Sequence, residues 1–88
     1  MSKNQYFALI SDNFTNIVEY DGEIFGEYTV EDFPLEKVRQ EKKEIPEFIL
    51  DELSIYISRK RVRCDYADFS IEYIGAFPSI FQMKQFFL

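Results

Sequence analysis

The sequence predicts an α+β fold, in which an antiparallel sheet packs against one or two helices. Three observations lead there. The first thirty residues hold three short apolar segments joined by turn signals, Asp12-Asn13 and Asp21-Gly22. Residues 47–58 place apolar side chains at helical spacing. Residues 68–73 then alternate cleanly, as a half-buried strand does. Eighty-eight residues make a single domain, 1–88. A chain of this size buries roughly 60–65% of the surface its unfolded form exposes. With 47% of its residues hydrophobic and 18% aromatic, it is too apolar for a disordered acidic tail despite a net charge of −6.

Taken in order, QYFALI (5–10) and TNIVEY (15–20) read as strands one and two. Asp21-Gly22 supplies the two residues of a type I′ hairpin turn, because glycine tolerates positive φ. EIFGEYTV (23–30) follows as strand three, in a register that pairs Tyr20 with Glu23 and Val18 with Phe25. Val18, Tyr20 and Phe25 then share one face, and Ile17, Ile24, Tyr28 and Val30 the other. Neither face is purely polar, so both sides of this meander have something to cover. Asp32 is placed to cap a helix, with Pro34 in its first turn. Residues 33–44 carry a thin apolar stripe, Leu35 and Val38 followed by Ile45, beside a solvated charged face. Pro46 separates this segment from the 47–58 helix. That helix has its core stripe at Ile49, Leu53, Tyr56 and Ile57, widened by Phe48 and Leu50. In 68–73, Phe69, Ile71 and Tyr73 face the core, and Asp68, Ser70 and Glu72 face solvent. Gly75 and Pro78 break the chain, and SIFQMKQFFL (79–88) suits either a helix or a strand.

Composition narrows the chemistry. The chain has no His, the commonest general base, so a Ser–His–Asp or Cys–His site cannot be assembled within it. One cysteine, Cys64, permits neither an intrachain disulfide nor a zinc site of the usual kind, and points to a reducing cytoplasm. Its ordinary role is that of a small buried apolar residue; neighbouring arginines would lower its pKa if it were a redox thiol. The three glycines are isolated, so no phosphate-binding loop exists. No apolar run reaches the ~20 residues of a spanning helix, and the N-terminus lacks a secretory apolar core. Abundant Phe, Ile and Tyr beside scarce Ala, Gly and Pro fit a low-GC coding sequence.

Two carboxylate groupings are weighed for metal chemistry. Asp65, Asp68 and Glu72 would gather on one face of a helix, but the segment reads as a strand with these groups solvated. Glu19, Asp21 and Glu23 do not match a calcium-loop spacing. No metal, no cofactor and no enzymatic activity are expected.

The dominant signal is charge segregation. Eight carboxylates and not one Lys or Arg lie between Asp12 and Glu36. A one-signed stretch selects partners by charge and points at a basic surface. The candidate contact residues are Glu19, Asp21, Glu23, Glu27, Glu31 and Asp32, with Tyr20 and Tyr28 as aromatic anchors. Glu23 and Glu27 stand at even spacing on one strand and so share a side. Carboxylates spaced along a sheet imitate the charge of a nucleic-acid backbone. The alternative is a solvated face that confers solubility. The sign reverses at Arg59, Lys60, Arg61 and Arg63, which suit the negative end of the helix dipole. The same cluster, with Tyr56 and Tyr66, forms a candidate nucleic-acid surface, or a contact to the acidic patch of another copy. Phe86, Phe87 and Leu88 are either the end of a core element or an apolar partner contact, including a homodimer contact.

The resulting profile is small, acidic, His-free and cytoplasmic. It resembles that of phage or mobile-element proteins that block host machinery, anti-CRISPR proteins among them. Antitoxins and immunity proteins share it. The leading expectation is a non-catalytic inhibitor or regulator whose acidic sheet occupies a basic, nucleic-acid-binding surface of a partner protein. An antitoxin-type or structural subunit held by apolar contacts is the alternative. Direct nucleic-acid binding through Arg59–Arg63 comes third.

Overall fold

The computed structural model describes residues 3–12, 14–64 and 69–87, with residues 63 and 64 by backbone only. The Asp12-Asn13 turn, the Cys64 thiol, the Arg63 side chain, Asp65, Tyr66, Asp68 and Leu88 therefore lie outside the described residues. The fold is mixed α+β, as its sequence pattern predicts. Four strands, β1 (Asn4–Ile10), β2 (Thr15–Tyr20), β3 (Phe25–Thr29) and β4 (Ser70–Phe77), form one antiparallel sheet in the order β3-β2-β1-β4. Helix α1 (Leu35–Glu41) and a short 3₁₀ turn (Glu47–Ile49) precede the long helix α2 (Leu50–Cys64), and α3 (Ile80–Phe87) follows β4.

Both faces of the sheet are covered. On one, Phe7, Leu9, Val18 and Tyr20 pack against Ile49 and Leu53, with Phe25, Tyr56, Ile57, Phe69, Ile71 and Tyr73 around them. This is the α2 face, and Ile49, Leu53, Tyr56 and Ile57 of the stripe read from the sequence supply it. On the other, Tyr6, Ala8 and Ile17 meet Val38 of α1 and Met83 and Phe87 of α3. β1 alternates between the two: Tyr6 and Ala8 serve one core, Phe7 and Leu9 the other, and all four are fully buried. A central strand buried on both sides reads as the unbroken apolar run YFALI.

The hairpin differs from the sequence reading. Tyr20 pairs with Phe25, Glu19 with Gly26 and Val18 with Glu27, two residues away from the tight-turn register. Residues 21–24 form a four-residue loop instead of a two-residue turn. The Asp21 side chain explains the difference: its Oδ1 accepts the amides of Glu23 at 2.8 Å and Ile24 at 3.0 Å. Gly22, at φ 105°, makes the bend. A shift of two preserves side-chain parity, so Val18, Tyr20 and Phe25 still share a face. Ile24 leaves the strand and is exposed.

Three further corrections concern breaks and caps. Asp32 does not cap α1. Its backbone is left-handed, at φ 53°, and the helix starts after Pro34 with no side-chain cap. Lys42, also left-handed, ends α1, and Ile45 packs on the opposite face from Val38. Residues 42–46 thus carry the chain across the β4 edge, where Lys43 Nζ donates to the Ile74 carbonyl at 3.5 Å. Gly75 does not break the strand. It forms a β-bulge against Tyr6 and Phe7. The bulge switches parity: Ile71 and Tyr73 face α2, while Ile74 and Phe77 face α1 and α3.

The ambiguous tail is a helix. Ser79 starts it, with its Oγ accepting the Gln82 amide at 3.2 Å. Lys37 Nζ donates to the Phe87 carbonyl at 2.9 Å and meets the negative end of the helix.

Candidate functional site

The segment from Asp12 to Glu36 does not form one acidic face. Strand parity sends Glu19 to the α1/α3 side, with Ile17, and Glu27 to the α2 side, with Val18. Asp21 and Glu23 sit in the loop at the hairpin tip, and Glu31 and Asp32 follow the far end of β3. Five strand residues place the two ends roughly 15 Å apart. Glu23 is in the loop, so it does not share a strand side with Glu27.

Each carboxylate has its own surroundings. Glu19 accepts hydrogen bonds from two phenols, Tyr6 and Tyr28, the latter at 3.0 Å. Both phenols are pushed above their ordinary 10.0: Tyr6 chiefly by burial and then by this bond, Tyr28 chiefly by the bond itself. Asp21 is held below its usual 3.8 by the backbone amides of Ile24 and Glu23. Glu27 turns inward. Its Oε2 accepts from Lys60 Nζ at 2.6 Å and from Tyr56 Oη at 2.5 Å. Burial raises the pKa of this carboxyl, and the bonds and charge of Lys60 and Tyr56 outweigh that, leaving it below 4.5. Glu27 thus fastens α2 to the hairpin. Glu23, Glu31 and Asp32 stand exposed.

The two proposed tyrosine anchors divide. Tyr20 is buried, with its ring 4.5 Å from that of Phe25 and its hydroxyl donating to the Gly22 carbonyl. It belongs to the core. Tyr28 is partly exposed on β3, an edge strand of the sheet.

The basic cluster is also dispersed, as a helical turn of 100° per residue requires. Lys60 points at Glu27, and Arg61 lies over the Phe69 ring at 5.1 Å. Arg59 lines a groove of about 190 Å³ with Glu23, Ile24, Phe25, Glu52, Ile55 and Tyr56. At the C-terminus, Phe87 is buried and Phe86 is exposed, though its ring leans on Phe77 and Phe87.

Sequence reasoning missed a second stripe on α2. Phe48 and Leu50, both assigned to the core side, are exposed, as are Ile55 and Val62. The signal was present as an apolar residue at every seventh position.

Among the described residues, no group of three or more Cys, Asp or Glu is placed to hold a metal ion. No helix among them is long and apolar enough to cross a membrane. Comparison with protein-family models, with curated proteins and with solved structures gives no match.

Proposed function

We propose that this chain is a non-catalytic inhibitor or regulator, of the phage or mobile-element kind, whose β2–β3 hairpin docks on a basic, nucleic-acid-binding surface of a partner protein. One observation carries the reading. The edge strand β3 is bracketed by exposed carboxylates, Asp21 and Glu23 at one end and Glu31 and Asp32 at the other. Lys60, brought to this strand by α2, is matched by Glu27, and Arg59 stands in the groove with one of the four carboxylates, Glu23. The edge therefore keeps an excess of negative charge, with Tyr28 exposed between the two ends as an aromatic contact. Docked edge-on, the hairpin would present two clusters of negative charge to a groove shaped for phosphates.

The test is affinity capture from a low-GC bacterial lysate, with the unaltered chain and a neutralised variant side by side. The variant carries Asp21→Asn, Glu23→Gln, Glu31→Gln and Asp32→Asn. Asparagine keeps the acceptor needed at position 21 and tolerates the left-handed backbone at 32. The unaltered chain is expected to retain a nucleic-acid-binding protein that moderate salt or added DNA or RNA releases, and the variant is expected to lose it. Equal capture by both, or a partner that resists salt, refutes the reading.

A further inference from the structure

Phe48, Ile55 and Val62 are 71%, 49% and 87% exposed, and they recur every seven residues along the 3₁₀ turn and α2. Seven residues are nearly two helical turns, so the three side chains line up with a drift of about 20° per step. The stripe is roughly 21 Å long. It lies on the side of α2 away from Ile49 and Leu53, which are buried in the core. Among the described residues nothing covers it. Ile24, exposed at the hairpin tip, stands beside Ile55 across the groove and widens the apolar surface.

The charges flanking the stripe are ordered. Asp51 and Glu52 lie in its N-terminal half and Arg59 in its C-terminal half, with all three exposed. We propose that α2 is a self-recognition surface that pairs antiparallel with α2 of a second copy, about a two-fold axis at Ile55. Centred there, Ile55 meets Ile55 of the second copy, Phe48 lies opposite Val62, and Glu52, on the same flank of the stripe as Arg59, lies beside Arg59 of the second copy. Two-fold symmetry makes each off-axis contact twice, while Ile55–Ile55 lies on the axis. A parallel pairing would set Glu52 beside Asp51 of the second copy, which the like charges oppose, and Arg59 beside Ser58. The stripe is therefore complementary to itself in one direction only, and charge order selects a second copy over a generic apolar partner. This pairing does not rest on the proposed function. It uses the outer side of α2; Glu31 and Asp32 lie at the far end of β3, and Glu23 borders the groove beside Ile55 and Arg59.

The test is the mass of the full chain in solution by light scattering after size exclusion, over a range of concentrations. Dimerisation would give twice the 10.6 kDa of one chain. Ile55→Glu alters an exposed position, so the fold should persist by circular dichroism. The dimer dissociation constant should rise on the order of a hundredfold or more, because both copies lose the central contact. Glu52→Arg alone and Arg59→Glu alone should each weaken the dimer, since each sets like charges side by side. An equimolar mixture of these two variants should pair again, because both contacts become complementary across unlike chains. A monomeric unaltered chain at its highest soluble concentration would overturn the proposal. So would a dimer indifferent to Ile55→Glu, or a mixture no more associated than its parts.

Discussion

Replacing Glu27 with Gln removes the charge that fastens α2 to the hairpin and changes little else. Glutamine is nearly isosteric and can still accept the Tyr56 hydroxyl. The Lys60 ammonium, whose side chain is only 12% exposed, would lose its 2.6 Å carboxylate partner. An exposed ion pair contributes roughly 0–1 kcal/mol. Breaking a fully buried pair costs about 3–5 kcal/mol. The Glu27 side chain is 28% exposed, so this pair lies between those limits, and a loss of about 2 kcal/mol is expected. In a domain of this size that lowers Tm by about 8–16 °C.

Urea denaturation followed by far-ultraviolet circular dichroism measures the loss. Lys60→Met supplies the other side of a double-mutant cycle, keeping the apolar stem and removing the charge. The two substitutions together should cost about 1–2 kcal/mol less than their sum. The pH dependence has a fixed sign. The folded-state pKa of Glu27 lies below 4.5, so the pair's contribution is full above pH 4.5 and disappears as pH falls through the lower folded value. The Glu27→Gln chain should lack that part of its acid sensitivity. A loss under about 0.5 kcal/mol, within the range of ordinary surface substitutions, or strict additivity in the cycle would refute the assignment of Glu27 as a fastening residue.

Two further substitutions probe the fold around β4 and α3. Gly75→Ala puts a methyl 3.0 Å from Lys43 Nζ and 3.2 Å from the Phe77 ring, on a backbone at φ 139°. Thermal melting should show a loss on the order of 1–3 kcal/mol, with an unchanged melting point counting against the bulge. Phe87→Ala empties a buried site shared with Met83 and Val38 and should cost about 3–5 kcal/mol, whereas Phe86→Ala, at a 60% exposed position, should cost far less. Equal losses in denaturant titrations would contradict the placement of these two side chains.

What could be read from the sequence was governed by parity and periodicity. Val18, Tyr20 and Phe25 share a face in the sequence reading and in the fold, even though the register moved by two, because alternation survives an even shift. Ile49, Leu53, Tyr56 and Ile57 are the core side of α2 for the same kind of reason. Features that depend on a single local contact were not legible. The hairpin loop lengthens because one carboxylate oxygen of Asp21 accepts two amides. The strand passes through Gly75 because a bulge uses the positive φ that a break would also use. Nor could the sequence show which carboxylate of the acidic segment meets Lys60, since residues 27 and 60 come together only after α2 docks.

That last point decides how the acidic hairpin is to be tested. Reversing Glu23, Glu27 and Asp32 together looks like a direct assay of a charged surface, because all three lie in the one-signed segment. In the fold they have different roles. Glu27 is bonded to Lys60 and Tyr56, and a positive charge there would face the Lys60 ammonium. Lost binding in that triple variant would follow equally from a detached α2 and from a missing contact. Asp21 also contributes to the fold, through its bonds to the Glu23 and Ile24 amides, so neutralising it requires asparagine. Glu23, Glu31 and Asp32 are exposed and have no such ties among the described hydrogen bonds and ion pairs. A set that adds Asp21→Asn to these three and leaves Glu27 in place removes charge from both ends of β3 while α2 stays docked. Only with that set does lost binding report on the surface itself.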